Sequence, residues 1–194
     1  GRLGRRGRYT GFDIAADNIA WCTAHITSRF PNFRFVHFDV ANSTYNPTGT
    51  LAPTDVRFPE ADGAVDRIIA QSVFTHLVGD VAAHYLAELR RVLAPGGRAL
   101  ISCFVGTPQE LAASVASPVP VFRFAHRLAP GVWVCDPQRP ADSVAYERET
   151  FARLLADAGL ALRTLAPGYW VEGRGGQEIG QDIAVLSRAD APSA

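Results

Sequence analysis

The sequence predicts an α/β domain, a mostly parallel sheet flanked by helices, and two observations lead there. The first is the stretch from Asp66 to Gly97. Val65 to Ala70 is a short run with paired β-branched residues between turn residues, the pattern of a buried strand. Asp80 then caps a helix that sets Val81, Tyr85, Leu89 and Val92/Leu93 on one face. Pro95-Gly96-Gly97 stops that helix, and Arg98 to Phe104 begins another strand. Strand, helix and strand at this spacing form a right-handed crossover between parallel strands. The second observation is that the same alternation runs along the chain, as strand, helix, strand, strand, helix, strand, helix, strand, strand. In such sheets ligands sit beyond the carboxyl ends of the strands, which puts Gln71 to His76 at a candidate site.

Each element has its own justification. Gly1 to Arg8 sets four arginines among glycines and reads as a solvated, frayed terminus. Tyr9 to Ile14 is a short strand with an acid, Asp13, near its end. Asp17-Asn18 opens a helix with Ile19, Cys22, Ile26 and Phe30 as a buried stripe, and Phe30-Pro31-Asn32 breaks it. Phe33 to Val40 alternates like a strand and again reaches an acid, Asp39. Ala41 to Ala64 is a loop rich in Asn, Thr, Pro and Gly, with Tyr45 its largest side chain in the first half. Val105 to Ser143 carries six prolines and several aromatics, and reads as a lid or insertion with little regular structure. From Glu149 a helix buries Phe151, Leu154, Leu155 and Ala158, and Gly159 ends it. Leu160 to Leu165 and Asp182 to Leu186 are the last two strands, with Gly173 to Gly176 as a hairpin connection.

Composition bounds the function. A chain of 194 residues, 47% apolar and 20% charged, is one ordinary globular domain over 1–194, with the lid at 105–143. Formal net charge is zero, so electrostatics points to neither nucleic acid nor an anionic membrane as partner. No apolar run approaches the ~20 residues that span a bilayer. Three cysteines in or near apolar runs read as reduced thiols of a cytoplasmic protein. His25, His37, His84 and His126 lack metal-ligand spacing, and no metal site is expected.

The segments DRIIAQSVFTHL and YLAELRRVLAPGGRALIS resemble the second half of a class I S-adenosylmethionine-dependent methyltransferase of the kind acting on small molecules. The likeness covers roughly Tyr9 to Phe104 and, more loosely, Tyr146 to Ser187. It implies a Rossmann-like sheet of seven strands with the last antiparallel, S-adenosylmethionine as cofactor, and a small-molecule acceptor. That family's first strand leads into Gly-x-Gly, where backbone amides meet the donor. No such segment precedes Tyr9, so the first strand and helix are expected to lie upstream of Gly1.

Asp13, with the adjoining Ile14, stands at a strand end before a helix. An acid there can accept two hydrogen bonds from vicinal ribose hydroxyls, the role the resemblance implies. The alternative is a carboxylate favoured by the helix macrodipole. Asp39 and Val40 take the positions that in the family meet the adenine amino group and ring, against an Asx turn that merely closes the strand. Gln71 and Ser72 would lie under the methionine portion of the donor.

Methyl transfer is an in-line displacement, so alignment and water exclusion dominate, and an oxygen nucleophile also has a proton to lose. His76 is suited to take it near neutral pH, or else packs at the end of its loop. Tyr45, Trp133, Tyr169 and Trp170 can line an acceptor pocket or serve as core and loop packing. Two other classes compete with this reading. A nicotinamide-dependent oxidoreductase would also bind a ribose at Asp13, but no hydride-transfer set is visible. A non-catalytic methyltransferase-like module is the other.

Overall fold

A computed structural model describes residues 7–42, 44–116, 122–171 and 180–189. The chain forms two compact units, Gly1–Pro59 and Glu60–Ala194.

In the first unit β1 (Tyr9–Asp13) pairs in parallel with β2 (Phe33–His37), joined by α1 (Ala16–Cys22) and a π-helical turn over Thr23–Thr27. Phe12 stacks on Phe38 and tilts against Phe58, and this aromatic contact holds the small core. The stripe expected to be buried on the helix is not. Ile19, Cys22 and Ile26 are half-buried, and Phe30 and Trp21 are exposed. Trp21 instead stacks on His25, whose Nδ1 meets the Trp21 carbonyl at 2.9 Å, so helical periodicity here serves a local pair. Asp39 lies two positions past the end of β2, because the chain leaves the ladder at His37.

In the second unit β3 (Val65–Ala70) runs parallel to β4 (Leu93–Cys103) with α2 (Asp80–Val92) between them, the crossover read from the sequence. Asp80 is not the cap of α2. Gly79, at φ 56, holds that position, and Asp80 contributes its charge to the first turn. The buried stripe is Ala82, Tyr85, Leu86, Glu88, Leu89 and Val92. Pro95-Gly96-Gly97 does not separate helix from strand either. The helix ends at Val92, Leu93 already pairs with Val65, and the proline-glycine stretch is an irregularity before Arg98 pairs with Arg67. Arg91, in the last turn of α2, ties the helix to the chain before β3. Its guanidinium makes two 2.7 Å contacts to the buried Glu88 and another to Asp62, and donates to the Glu60 carbonyl.

β4 continues to β10 (Asp182–Arg188), which lies antiparallel between β4 and β9 (Leu160–Ala166). The antiparallel last strand is therefore present. Among the described strands of the second unit β3 stands at the sheet edge and is not a buried strand: none of its residues is buried, and Ile69 is 73% exposed. The connection expected at Gly173 to Gly176 lies outside the described residues.

The segment 105–143 holds more regular structure than its prolines suggest. It contributes β5 (Val105–Gly106), α3 (Pro108–Ala116), β6 (His126–Ala129) and β7 (Val132–Val134), and β8 (Val144–Glu147) follows. These strands form a separate sheet in the order β5-β8-β7-β6. Two local devices allow this. Thr107 and Glu110 exchange backbone amide bonds at the start of α3, a capping box. Gly131, at φ 71, turns the chain between β6 and β7. Thus the described strands of the second unit fall into two sheets, β3-β4-β10-β9 and β5-β8-β7-β6. α4 (Arg148–Asp157) buries Phe151 and Leu155 and ends at Gly159, at φ 67.

Candidate functional site

In the second unit the loop that leaves β3 is fixed from several sides. Ser72 is the one non-glycine residue at positive φ among the described residues, at 53°. Its amide donates to the buried Ser102 hydroxyl of β4 at 2.6 Å, and its own hydroxyl exchanges bonds of 3.1 and 3.2 Å with the Gln181 amide group. Such a conformation costs free energy and persists only where neighbours over-determine it. Gln71 beside it is exposed.

Farther along the loop, His76 Nδ1 lies 2.8 Å from the Ala141 carbonyl. A carbonyl only accepts, so Nδ1 carries the proton and, in the neutral ring, Nε2 is the basic nitrogen. Val144 donates its amide to the Thr75 carbonyl at 2.9 Å, and the Tyr146 hydroxyl donates to the Leu77 carbonyl at 2.5 Å. Burial pushes the Tyr146 phenol well above its ordinary range, so it stays a donor. Residues 141–146 thus brace the loop that carries His76. The Thr75 hydroxyl, in the same loop, is buried without a hydrogen-bond partner.

In the first unit Asp13 is exposed at the end of β1, and its Oδ1 accepts the Ala15 amide at 2.8 Å, a tight turn into α1. The Ile14 carbonyl accepts a bond of 3.2 Å from His37 Nε2. Asp39 is tied into the following loop. Its carboxylate accepts the Thr50 hydroxyl at 2.7 Å, the Asn46 side-chain amide at 3.1 Å and the Thr50 amide at 3.2 Å. Those bonds, the Thr50 hydroxyl foremost, hold the Asp39 carboxyl below the usual carboxylate range. Val40 is buried, and its carbonyl accepts the same Asn46 amide group. Tyr45 is exposed, its amide bonded to Asn42 Oδ1.

The aromatic residues expected around an acceptor divide. Tyr169 is exposed, whereas Trp170 is not a pocket wall: it is 4% exposed within a core of Phe104, Leu111, Phe124, Ala145 and Val171. Its indole N–H donates to Asp182, so both its face and its polar edge are used inside the protein. Trp133 packs against the same cluster and gives its N–H to Glu147. Asp182 itself escaped the sequence reading. It is completely buried and accepts the Val105 amide, the Gly168 amide and the Trp170 indole at 2.7–2.9 Å. An acid opening an apolar strand was the available signal, as was Ser102 inside the otherwise apolar run of β4. Among the described residues no cluster of His, Cys, Asp and Glu could hold a metal ion, and no helix is long and apolar enough to cross a membrane.

Residues 1–101 match the family model described as a methyltransferase domain. The chain is also similar to the TehB-like SAM-dependent methyltransferase of Corynebacterium glutamicum ATCC 13032 Kitasato, at 18% identity and a TM-score of 0.51 over 93% of this chain and 68% of that one. A SAM-dependent methyltransferase of Methanosarcina mazei matches at 16% identity and a TM-score of 0.57, over 93% and 81% of the two chains. The 1,6-didemethyltoxoflavin-N1-methyltransferase of Burkholderia thailandensis, solved with 1,6-didemethyltoxoflavin and S-adenosylhomocysteine, matches at 16% and 0.57, over 97% and 68%. At these identities the likeness is one of fold, Rossmann-like α/β with an antiparallel last strand.

Proposed function

The chain belongs to the methyltransferase domain family, and on that premise we propose that it transfers the methyl group of S-adenosylmethionine to a small-molecule acceptor, at oxygen. The family match over residues 1–101 carries the methyl-transfer reading, and the bound S-adenosylhomocysteine of the toxoflavin enzyme supports the donor. Asp13 accepts the ribose hydroxyls, with Ile14 beside it. Asp39 has about four acceptor sites and three hydrogen bonds, which leaves room for an adenine amino group next to the Val40 backbone. Gln71 and Ser72 meet the methionine portion, and the strained, doubly held Ser72 favours that assignment.

The preference for oxygen rests on His76. With Nδ1 bonded to Ala141, Nε2 is the nitrogen that can take the proton a hydroxyl acceptor must lose. The segment 105–143, which supplies that carbonyl, shapes the choice of acceptor, with Tyr45 and Tyr169 as further exposed contacts.

Calorimetry tests the donor. S-adenosylhomocysteine is expected to bind and nicotinamide cofactors are not, and Asp13→Ala should weaken S-adenosylhomocysteine binding by about 1.5–3 kcal/mol, the value of hydrogen bonds to a charged group. Binding of a nicotinamide cofactor in its place would overturn the reading. Labelled methyl transfer to matched hydroxyl and amine acceptors then decides between oxygen and nitrogen.

A further inference from the structure

The second unit also carries a cavity of about 370 Å³ lined by Pro95, Gly96, Arg98, Arg163, Ser187, Arg188 and Ala189. It lies toward the opposite end of β4 from the loop just described. Arg98 precedes Ser102 by four positions, roughly 13 Å along an extended strand, and Ser187 and Arg188 close the antiparallel β10.

Three of the described lining residues are arginines and none of the described ones is acidic, in a chain whose formal net charge is zero. Two of the guanidiniums are held in place by the fold. Arg98 Nη1 donates to the Gly97 carbonyl at 2.9 Å and to the Gly96 carbonyl at 3.2 Å. Arg163 Nε donates to the Ser187 hydroxyl at 2.7 Å, and that hydroxyl, on a residue 3% exposed, donates onward to the Arg188 carbonyl. More positive charge stands close by: Arg67 is the ladder partner of Arg98, and Arg90 is near enough to feel the charge of Arg188. The like charges of Arg98 and Arg188 line one cavity at a cost in free energy that a polyvalent anion recovers, and a fixed guanidinium fork loses little freedom when it binds one.

We propose that this cavity is a phosphate site, taking inorganic phosphate or the phosphate of a small phosphomonoester. A dianion matches several guanidiniums better than one carboxylate does, and the volume accommodates a phosphate with a small organic group.

The test uses the whole chain. Amide resonances are followed by NMR while inorganic phosphate, glycerol phosphate, acetate or chloride is added at matched ionic strength. Both phosphates are expected to shift Gly96, Arg98 and Ser187 saturably and to leave Ser72 still, with chloride and acetate without effect. A larger response to glycerol phosphate identifies an ester as the ligand, and an equal response identifies free phosphate; either supports the site. R98A/R188A should bind about tenfold more weakly or worse, with S-adenosylhomocysteine affinity unchanged. Should that variant not fold, R98K/R188K keeps the charge and loses the fork, and is expected to weaken binding as well. Equal shifts with chloride, scattered shifts, or undiminished binding by the variant would overturn the proposal. Because S-adenosylhomocysteine is measured separately, failure here leaves the methyl-transfer reading untouched.

Discussion

His76 and Ala141 are 65 positions apart in sequence, and the imidazole Nδ1 of one meets the carbonyl oxygen of the other at 2.8 Å. That contact assigns the proton to Nδ1 and the basicity to Nε2. Nitrogen-15 NMR of His76 should therefore show a protonated Nδ1 and an unprotonated Nε2 in the neutral ring. His76→Ala should lower turnover by ~10²-fold or more while S-adenosylhomocysteine affinity holds. A loss of only severalfold would make His76 a packing residue of its loop.

Asp182 gathers three buried N–H donors from β5, the loop after β9 and Trp170. Asp182→Leu leaves all three without an acceptor and should cost about 3 kcal/mol or more of unfolding free energy. Asp182→Asn can serve only part of the set and should fall between the variant and the native chain. Denaturant midpoints would order the three proteins, and a neutral Asp182→Leu would mean that water or another group takes over the donors.

The Thr75 hydroxyl is buried with no partner. Thr75→Val keeps the shape and removes an unsatisfied group, so stability should stay level or rise, by up to about 1 kcal/mol. A clear loss in urea titration would show that the hydroxyl is bonded in solution.

Alkaline pH has a directional effect through Tyr85, whose phenol is pushed up to about 12 from 10 by burial. The folded pKa exceeds the unfolded one, so the contribution to stability is whole below pH 10 and is lost as pH rises from about 10 to about 12. Tyr146 shifts the same way for the same reason. The slope of stability against pH in this window should be shallower for Tyr85→Phe. An identical slope would mean that the ring is solvated in the native state.

The crossover from β3 through α2 to β4 was legible because its signals are local: β-branched pairs, a helical stripe, and the turn residues that follow. Local pattern decides less where a residue has a choice of partner. Ile68 and Ile69 promise burial in any context, yet among the described strands of the second unit β3 lies at the sheet edge and Ile69 is exposed. Trp170 carries the same aromatic surface whether it lines a pocket or fills a core. Its N–H bond to Asp182 and its packing on Phe104 and Phe124 decided for the core. The prolines of 105–143 suggested irregular chain, whereas the capping box at Thr107 and the turn at Gly131 order it into a helix and strands.

By itself the sequence determined the α/β class, the crossover, and the positions of Asp13, Asp39, Ser72 and His76 near the ends of strands, because periodicity and turn chemistry act between neighbours in the chain. Tertiary structure alone decided what those groups touch. The Ala141 carbonyl that sets the His76 tautomer, the Thr50 and Asn46 groups that occupy Asp39, and the Ser102 hydroxyl that holds Ser72 come from 7 to 65 positions away. A hydrogen bond depends on distance and angle in space, and separation along the chain carries no record of either.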